Sequence, residues 1–267
     1  MTADTAELSR DVTTSGPHLH GLTAVTGLTA VLTDHVADIG VRVQEAVRDR
    51  SMMLVTGVPG TGKSFASGRA VEAVLAKYPL LQAVWLEVAT SLRGRALAQD
   101  LLPQITGFAC SPGAPLREMR NMMTSHLAEA HRILVLDEAQ HVTKEAMQLL
   151  RWLYDRSDSN FALVIVGTPE LETKLAPEVR SRIMSHVHIS RIADDDAAKI
   201  LGSYHPLFAT ADPKLLAQLN RTEARGEFRW WAKFLLRAHR YLPALGGVIT
   251  ADAAQVICTQ LRQGSRS

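Results

Sequence analysis

Apolar residues in the central part of the chain form short continuous runs that alternate with stretches of helical spacing. The runs predict four strands, at Met52–Thr56, Leu81–Val88, Ile133–Leu136 and Phe161–Val166. Near-continuous apolar runs of this kind, as opposed to alternating ones, are typical of parallel strands covered on both faces. Between them, amphipathic spacing predicts helices at about 64–78, 94–106, 115–131 and 143–156. This alternation predicts an α/β fold with an open parallel sheet.

The N-terminal part of the chain has a different pattern. Residues 1–22 are rich in Thr, Ser, Asp and Gly, which predicts a flexible N-terminal tail. From Leu22 to Arg50, apolar residues recur at helical spacing and predict a helical lead-in to the sheet. We therefore predict an α/β nucleotide-binding domain, with this lead-in, over residues 23–191.

The strand pattern disappears after Ile192, and only helical signals remain. Helix starts are predicted at Asp194, at Asp212-Pro213 and at Thr250. We therefore predict a small helical lid domain over residues 192–267.

Composition adds few constraints on function. The chain has 267 residues, 46% of them hydrophobic, and its net charge of +2 is too small to indicate nucleic acid by itself. No apolar run reaches the roughly 18 residues needed to cross a membrane, and the N-terminus lacks the features of a signal peptide. The two cysteines, Cys110 and Cys258, lack C-x-x-C spacing, which argues against a disulfide framework and a zinc site. We expect a cytoplasmic protein.

A phosphate-binding motif lies between the first predicted strand and the helix after it. Residues 57–64 read GVPGTGKS and fit the pattern G-x-x-x-x-G-K-[ST] at every position. Its glycines allow positive φ angles and leave room for backbone N–H groups around a polyphosphate. Lys63 is placed for the β- and γ-phosphates, and the Ser64 hydroxyl for Mg²⁺. The predicted ATP contacts are Gly57, Val58, Pro59, Gly60, Thr61, Gly62, Lys63, Ser64 and Phe65.

Two later strands end in polar residues suited to hydrolysis. The run Arg132-Ile-Leu-Val-Leu ends in Asp137, which can hold Mg²⁺ through water, and Glu138, which can orient and polarise the attacking water. Such a pair is also common as solvated charge, and its pairing with the phosphate-binding motif favours catalysis. Thr168 follows the last predicted strand. A Thr there is usually a turn former, but in this context we predict that it senses the γ-phosphate.

The ordered motifs GVPGTGKS, LVLDEAQ and VIVGT, with a later Arg-rich helical segment, resemble AAA+ ATPases over roughly residues 35–245. The chain is similar to the transposition-regulator ATPases of the MuB/TniB/TnsC type in its compact size, in DEAQ and in VGTPEL. Initiator (origin-recognition) and general-secretion ATPases share much of this pattern. The resemblance implies a P-loop NTPase parallel sheet sandwiched by helices and followed by an all-helical lid.

The resemblance also implies a role for three arginines. Arg182 matches an arginine finger that enters a neighbour's active site, with Arg180 as the alternative, although an Arg pair is more often a solvated face. A finger implies head-to-tail contacts in a homo-oligomer, which close as a ring or continue as a helical filament. The segment Gly226-Glu-Phe-Arg229 resembles the sensor-two motif, which places Arg229 on the same nucleotide.

Four arginines near predicted helix starts are candidates for duplex DNA binding. Helix N-termini combined with arginines suit backbone phosphates, and in the resembled family these two segments track duplex DNA. The candidates are Arg93, Arg95, Arg117 and Arg120. A second basic stripe, formed by Arg225, Arg229, Lys233 and Arg237, is more typical of a solvated helix face over an aromatic core.

The leading hypothesis is an ATP-dependent, non-specific DNA-binding regulator of transposition. It would assemble on duplex DNA and recruit or stimulate a transposase of the integrase type, and ATP hydrolysis would dissolve the assembly. One alternative is a helicase loader or replication initiator. Another is a defence or signalling NTPase that acts on a protein partner.

Overall fold

The computed structural model describes residues 34–108, 111, 113–245 and 247–264. The predicted tail, the start of the predicted lead-in and Cys110 lie outside these residues. The chain divides into two compact units. The sheet unit comprises His35–Gly57 and Ala66–His188, and the helical unit comprises Val58–Phe65 and the chain from Ile189 onward. The predicted domain borders after residues 22 and 191 stay predictions.

The central part of the chain alternates strands with helices, as the apolar pattern predicts. Its strands are β1 (Met52–Gly57), β2 (Gln82–Glu87), β3 (Arg132–Asp137), β4 (Phe161–Gly167) and β5 (Ile183–Ile189). Its helices are α1 (Asp34–Asp49), α2 (Lys63–Lys77), α3 (Gly94–Thr106), α4 (Leu116–Glu129), α5 (Lys144–Tyr154) and the short α6 (Glu170–Lys174) and α7 (Pro177–Arg180).

The five strands form one sheet in the order β2-β3-β4-β1-β5. The pairs β2–β3, β3–β4 and β4–β1 are parallel. Every residue of β1, β3 and β4 is buried, which confirms the inference from their apolar runs. The same inference is wrong for β2, because this strand lies at the edge of the sheet and exposes Gln82, Ala83 and Glu87. One face of the sheet packs on α3, α4 and α5 through residues such as Leu97, Met123 and Leu150. The carboxyl ends of the paired parallel strands therefore share one edge.

Strand β5 is absent from the sequence prediction, which finds four strands and treats the Arg180–Arg182 segment as helical. The structure ends α7 at Arg180, and β5 follows from Ile183. Val187 and Ile189 are buried, whereas Met184, His186 and His188 are exposed. A strand at the edge of the sheet with one open face shows alternation instead of a continuous apolar run, and a search for continuous runs misses it.

The chain after β5 is helical, as expected. Its helices are α8 (Ala197–Tyr204), α9 (Pro206–Ala209), α10 (Pro213–Leu219), α11 (Phe228–Tyr241) and α12 (Ala251–Gly264), with a π turn at Asn220–Ala224. Phe208, Trp231 and Phe234 are almost fully buried at the centre of this unit. The side chain of Asn220 satisfies buried polar groups there, because it donates to the Ile192 carbonyl at 2.9 Å and accepts from the Trp231 indole at 3.1 Å.

Two of the three predicted helix starts are confirmed. Asp212 caps α10 through the backbone N–H of Lys214, and Thr250 accepts from Ala253 N–H at the start of α12. The start at Asp194 is wrong, because α8 begins three residues later, at Ala197. The Asp194 carboxylate instead accepts hydrogen bonds from Asn220 and Arg221. A side chain that the sequence predicts as a helix cap therefore connects two segments that are distant in the sequence. No helix among the described residues is long and apolar enough to cross a membrane.

Candidate functional site

The phosphate-binding motif forms a closed loop between β1 and α2. Gly60 and Gly62 have φ angles of +85° and +92°, which favour glycine. Gly57 does not need this freedom, contrary to expectation, because it ends β1 in ordinary backbone geometry. The Val58 carbonyl closes the loop by accepting from the Thr61 hydroxyl at 2.9 Å and from the Lys63 ammonium at 3.3 Å. Lys63 opens α2, whose first turn contains no acidic residue, so the positive end of the helix suits an anion.

Within the helical unit, the start of α11 lies against this loop. The backbone N–H of Arg229 donates to the Gly60 carbonyl at 3.1 Å. A Cβ at position 60 would lie 3.2 Å from the Glu227 carboxylate and 3.4 Å from the Arg229 Cβ. A glycine is therefore required at position 60 for two reasons: the positive φ angle, and the close approach of Glu227 and Arg229. The Arg229 side chain is exposed, which leaves its guanidinium accessible to an anion at the loop.

A tight turn before α11 holds Arg229 in place. The π turn is followed by Arg225 and Gly226 with φ angles of +51° and +75°. A Cβ at Gly226 would lie 2.6 Å from the Arg191 Cβ and 2.8 Å from the Ile192 carbonyl oxygen, and Ile192 N–H donates to the Gly226 carbonyl at 3.0 Å. The backbone that precedes Arg229 is thus packed too closely to admit a side chain at position 226.

In the sheet unit, the buried Asp137 and the partly buried Glu138 form an acidic pair at the end of β3. Asp137 has no exposed surface, and its Oδ1 accepts from the backbone N–H of Glu138 at 2.8 Å. Glu138 has φ +54° and ψ +38°, in the left-handed region. A residue with a side chain costs on the order of 1–3 kcal/mol there, and such strain concentrates at functional sites. The left-handed backbone therefore supports a functional role for Glu138, the same residue that the motif indicates.

Gln140 connects Glu138 to the end of β4. Its Oε1 accepts from the backbone N–H of Thr168 at 3.1 Å. Since that partner is a donor, Nε2 faces the other way and donates to the Glu138 carboxylate in a short hydrogen bond. A Cβ at Gly167 would lie 2.8 Å from Gln140 Oε1, so the amide is also packed against the strand. Sequence reasoning treats Gln140 only as part of the DEAQ motif and misses this contact.

Thr168 lies beyond β4, on the same edge of the sheet as Asp137. Its backbone N–H is occupied by Gln140, and its hydroxyl hydrogen-bonds the Glu170 carboxylate, which lowers the pKa of Glu170. The structure thus places Thr168 beside Gln140 and Glu138 in the sheet unit, with its hydroxyl held by a neighbouring acid.

A polar cluster around Thr56 secures the end of β1, and sequence reasoning does not find it. The Thr56 hydroxyl lies 2.8 Å from Glu172 Oε1, 2.8 Å from His186 Nε2 and 3.0 Å from His188 Nδ1. One hydroxyl has one proton and two lone pairs, so Thr56 donates to the carboxylate and each ring presents an N–H. The cluster ties the last residue before the phosphate-binding motif to α6 and β5. The sequence signal that could have indicated this cluster is the His-x-His alternation of β5.

The two candidate finger arginines differ in how they are held. Arg182 forms a bidentate ion pair with Asp155, one contact of 2.7 Å and one shorter, and this pairing raises the pKa of the guanidinium. Arg180 is exposed at the end of α7, where it donates to the Leu175 carbonyl at 3.0 Å. Planar two-point pairing is the stronger arrangement. Of the two arginines, Arg182 is therefore the more firmly held.

The structure brings three of the four candidate DNA-binding arginines to one place. Arg95, at the start of α3, donates to the Ala114 carbonyl at 2.8 Å, just before α4. Arg93, Arg95 and Arg117 are exposed around these two helix starts. Arg120 is set apart, because its guanidinium lies 5.2 Å from the centre of the Trp152 ring and is partly buried. The first three form a basic surface at two neighbouring helix N-termini.

Among the residues that the structure describes, no group of three or more His, Cys, Asp or Glu side chains could hold a metal ion. Ser64 belongs to the helical unit and Asp137 to the sheet unit. The hydroxyl of the first and the carboxylate of the second are each a hard oxygen donor, so the chemistry of each donor by itself fits Mg²⁺.

Comparison with known proteins agrees with this geometry. A family model described as an AAA domain matches residues 46–175, and no curated protein matches the chain. The Aeropyrum pernix ORC2 protein in its ADPNP-ADP complexes has a similar fold, with a TM-score of 0.62 and 14% identity over 85% of this chain and 67% of that one.

Two similar structures were solved with DNA. The Aeropyrum pernix ORC1 protein in complex with DNA has a TM-score of 0.65 and 17% identity, over 85% of this chain and 64% of that one. Drosophila ORC bound to DNA has a TM-score of 0.67 and 15% identity, over 98% of this chain and 70% of that one. Identities this low show the fold alone. The structural similarities confirm the predicted P-loop AAA fold, with a parallel sheet flanked by helices and a helical C-terminal region.

The strain at Glu138 makes a prediction about stability. We expect Glu138→Gly to be more stable than Glu138→Ala by about 1 kcal/mol, since only the alanine has a Cβ in the left-handed region. Chemical denaturation of the two variants measures the difference in the free energy of unfolding. Gln148, inside α5, provides the matched control, where alanine should be more stable than glycine by about 1 kcal/mol. Equal stability of the two Glu138 variants would contradict the left-handed assignment.

Proposed function

We propose, from the match of residues 46–175 to an AAA domain and from the fold, that the chain is a P-loop ATPase that acts as an ATP-dependent, DNA-binding regulator of transposition. ATP and Mg²⁺ would bind at the Gly57–Ser64 loop, with Ser64 and Asp137 as the protein's ligands for the metal and Glu138 as the water-orienting base. Bound ATP would join subunits head-to-tail on duplex DNA. Such an assembly would recruit or stimulate a transposase of the integrase type, and hydrolysis would dissolve it.

The observation that carries the DNA-binding part is the basic surface at the starts of α3 and α4. Arg95 bridges the two starts through the Ala114 carbonyl, and Arg93 and Arg117 are exposed beside it. Guanidinium groups at helix N-termini suit the oxygens of a phosphate backbone, and contacts to the backbone carry no sequence information. The proposal is therefore for binding that is insensitive to base sequence.

A replication-initiator-like or helicase-loader ATPase is the second candidate. The likeness to ORC structures, two of which contain DNA, favours it. Gene context separates the two candidates. A neighbouring reading frame for an integrase-type transposase supports the first, and neighbouring replication genes support the second.

The nucleotide site should fail in two distinguishable ways. Lys63→Ala removes the cation expected on the phosphates and should abolish ATP binding in a calorimetric titration. Glu138→Gln keeps the size of the side chain but loses the base, so ATP binding should persist while turnover falls by about 10²–10⁴. Normal turnover by Glu138→Gln would show that the catalytic carboxylate lies elsewhere.

The proposed finger should act on a neighbouring subunit. Arg182→Ala keeps an intact nucleotide site and Lys63→Ala keeps an intact finger, so a mixture of the two inactive proteins should regain part of the ATPase rate at shared interfaces. A working finger contributes about 10³–10⁵ in rate. Arg180→Ala in the same mixing assay is the comparison, because Arg180 is the alternative finger. If Arg182→Ala alone hydrolyses ATP like the wild type at every concentration, the assignment to Arg182 is wrong.

DNA binding should require ATP and weaken steeply with salt. Each lost phosphate contact lowers the slope of log K against log salt by about 0.9 on duplex DNA, so Arg93→Ala or Arg117→Ala should reduce affinity equally on two unrelated duplexes. Fluorescence anisotropy at several salt concentrations measures this. Lys233→Ala removes one exposed positive charge from the helical unit and should reduce DNA affinity less than Arg93→Ala or Arg117→Ala. Absence of binding at low salt with ATP would overturn the transposition proposal and favour a protein partner.

A further inference from the structure

A cavity in the sheet unit lies directly against Gln140. Its volume is about 240 Å³, and its apolar walls come from Val142 and Met147 on one side and from Leu171 and Leu175 on the other. This is below the ~300–1,000 Å³ typical of small-molecule sites. The space therefore suits one or two apolar side chains and excludes a nucleotide.

Two exposed lysines, Lys144 and Lys174, also line this cavity. Among the described residues, neither forms an ion pair with a carboxylate. Their acidic neighbours offset them only in part: the Glu170 carboxylate accepts from the Thr168 hydroxyl, and the charge of Lys174 contributes less than this hydrogen bond to lowering the pKa of Glu170. An apolar cavity flanked by two ammonium groups is complementary to a large apolar side chain flanked by carboxylates.

We propose that this cavity is a docking site for an acidic peptide segment of a partner protein. One large apolar side chain of the segment enters the cavity, and carboxylates on either side of it pair with Lys144 and Lys174. Peptide recognition of this kind gains affinity from the buried side chain and specificity from the charges. This docking does not depend on the identity of the partner.

A side chain bound in the cavity can affect Glu138 by displacing Gln140. The Gln140 amide lines the cavity, accepts from Thr168 N–H at 3.1 Å and donates to the Glu138 carboxylate. A side chain that displaces this amide releases the Glu138 carboxylate, which is then available to orient water. A docked peptide therefore raises kcat for ATP hydrolysis. This second step rests on the proposed role of Glu138, whereas the docking itself does not.

The docking step is tested by selecting random twelve-residue displayed peptides on the wild-type protein. Selected sequences should carry Asp or Glu within a few positions of a large apolar residue. In fluorescence anisotropy, the synthetic peptide should bind the wild type at least tenfold more tightly than Lys144→Glu/Lys174→Glu. Lys144→Gln/Lys174→Gln should weaken binding less, and Lys199→Glu/Lys233→Glu, with the same change in charge, should bind like the wild type.

Three results separate the parts of this proposal. A failure to select peptides, or equal binding by the wild type and by Lys144→Glu/Lys174→Glu, overturns the docking site. Peptide binding with no increase in kcat overturns the link through Gln140 and leaves the docking site standing. Normal turnover by Glu138→Gln, together with peptide binding that depends on the lysines, contradicts the proposed catalytic role alone.

Discussion

The in-register parallel pairing of β1, β4 and β3 is the constraint on which the sheet unit depends. Thr56 pairs with Gly167, and Leu136 pairs with Ile165, so the three strands end at one edge of the sheet. The phosphate-binding motif, the acidic pair and Thr168 each follow one of these ends. Side chains far apart in the sequence are therefore placed by backbone hydrogen bonds that do not involve them. A shift of one residue in any strand would turn its side chains to the opposite face.

Local patterns were sufficient to predict the phosphate-binding motif and the central strands. Each depends on contiguous residues, and β1, β3 and β4 are mostly apolar because both of their faces are buried. Strand β5 was missed because one of its faces is open. The contact of Gln140 with Thr168 and the cluster around Thr56 are missed for another reason: the partners lie 28 to 132 positions away. No local pattern encodes those distances.

Several contacts restrain the residues that the proposed reaction would have to move. Gln140 holds Glu138, Glu170 holds the Thr168 hydroxyl, and Asp155 holds Arg182. Each partner is a charged or amide group that another hydrogen-bonding group could replace. Under the two proposals, a docked peptide would release Glu138 from Gln140, and Arg182 would leave Asp155 to act on a neighbouring subunit. Activation of ATP hydrolysis would then depend on contacts with other molecules, and the proposed assembly would control hydrolysis in this way.

The most direct test of the central claim is electron microscopy of the wild-type protein with duplex DNA and either ATP or ADP. The account predicts regular rings or helical filaments on the DNA with ATP, and dispersed subunits with ADP, because ATP is proposed to join neighbours. Sedimentation of the same samples measures the extent of assembly in solution. Dispersed subunits with both nucleotides, or assemblies that are the same with ATP and ADP, would contradict the account.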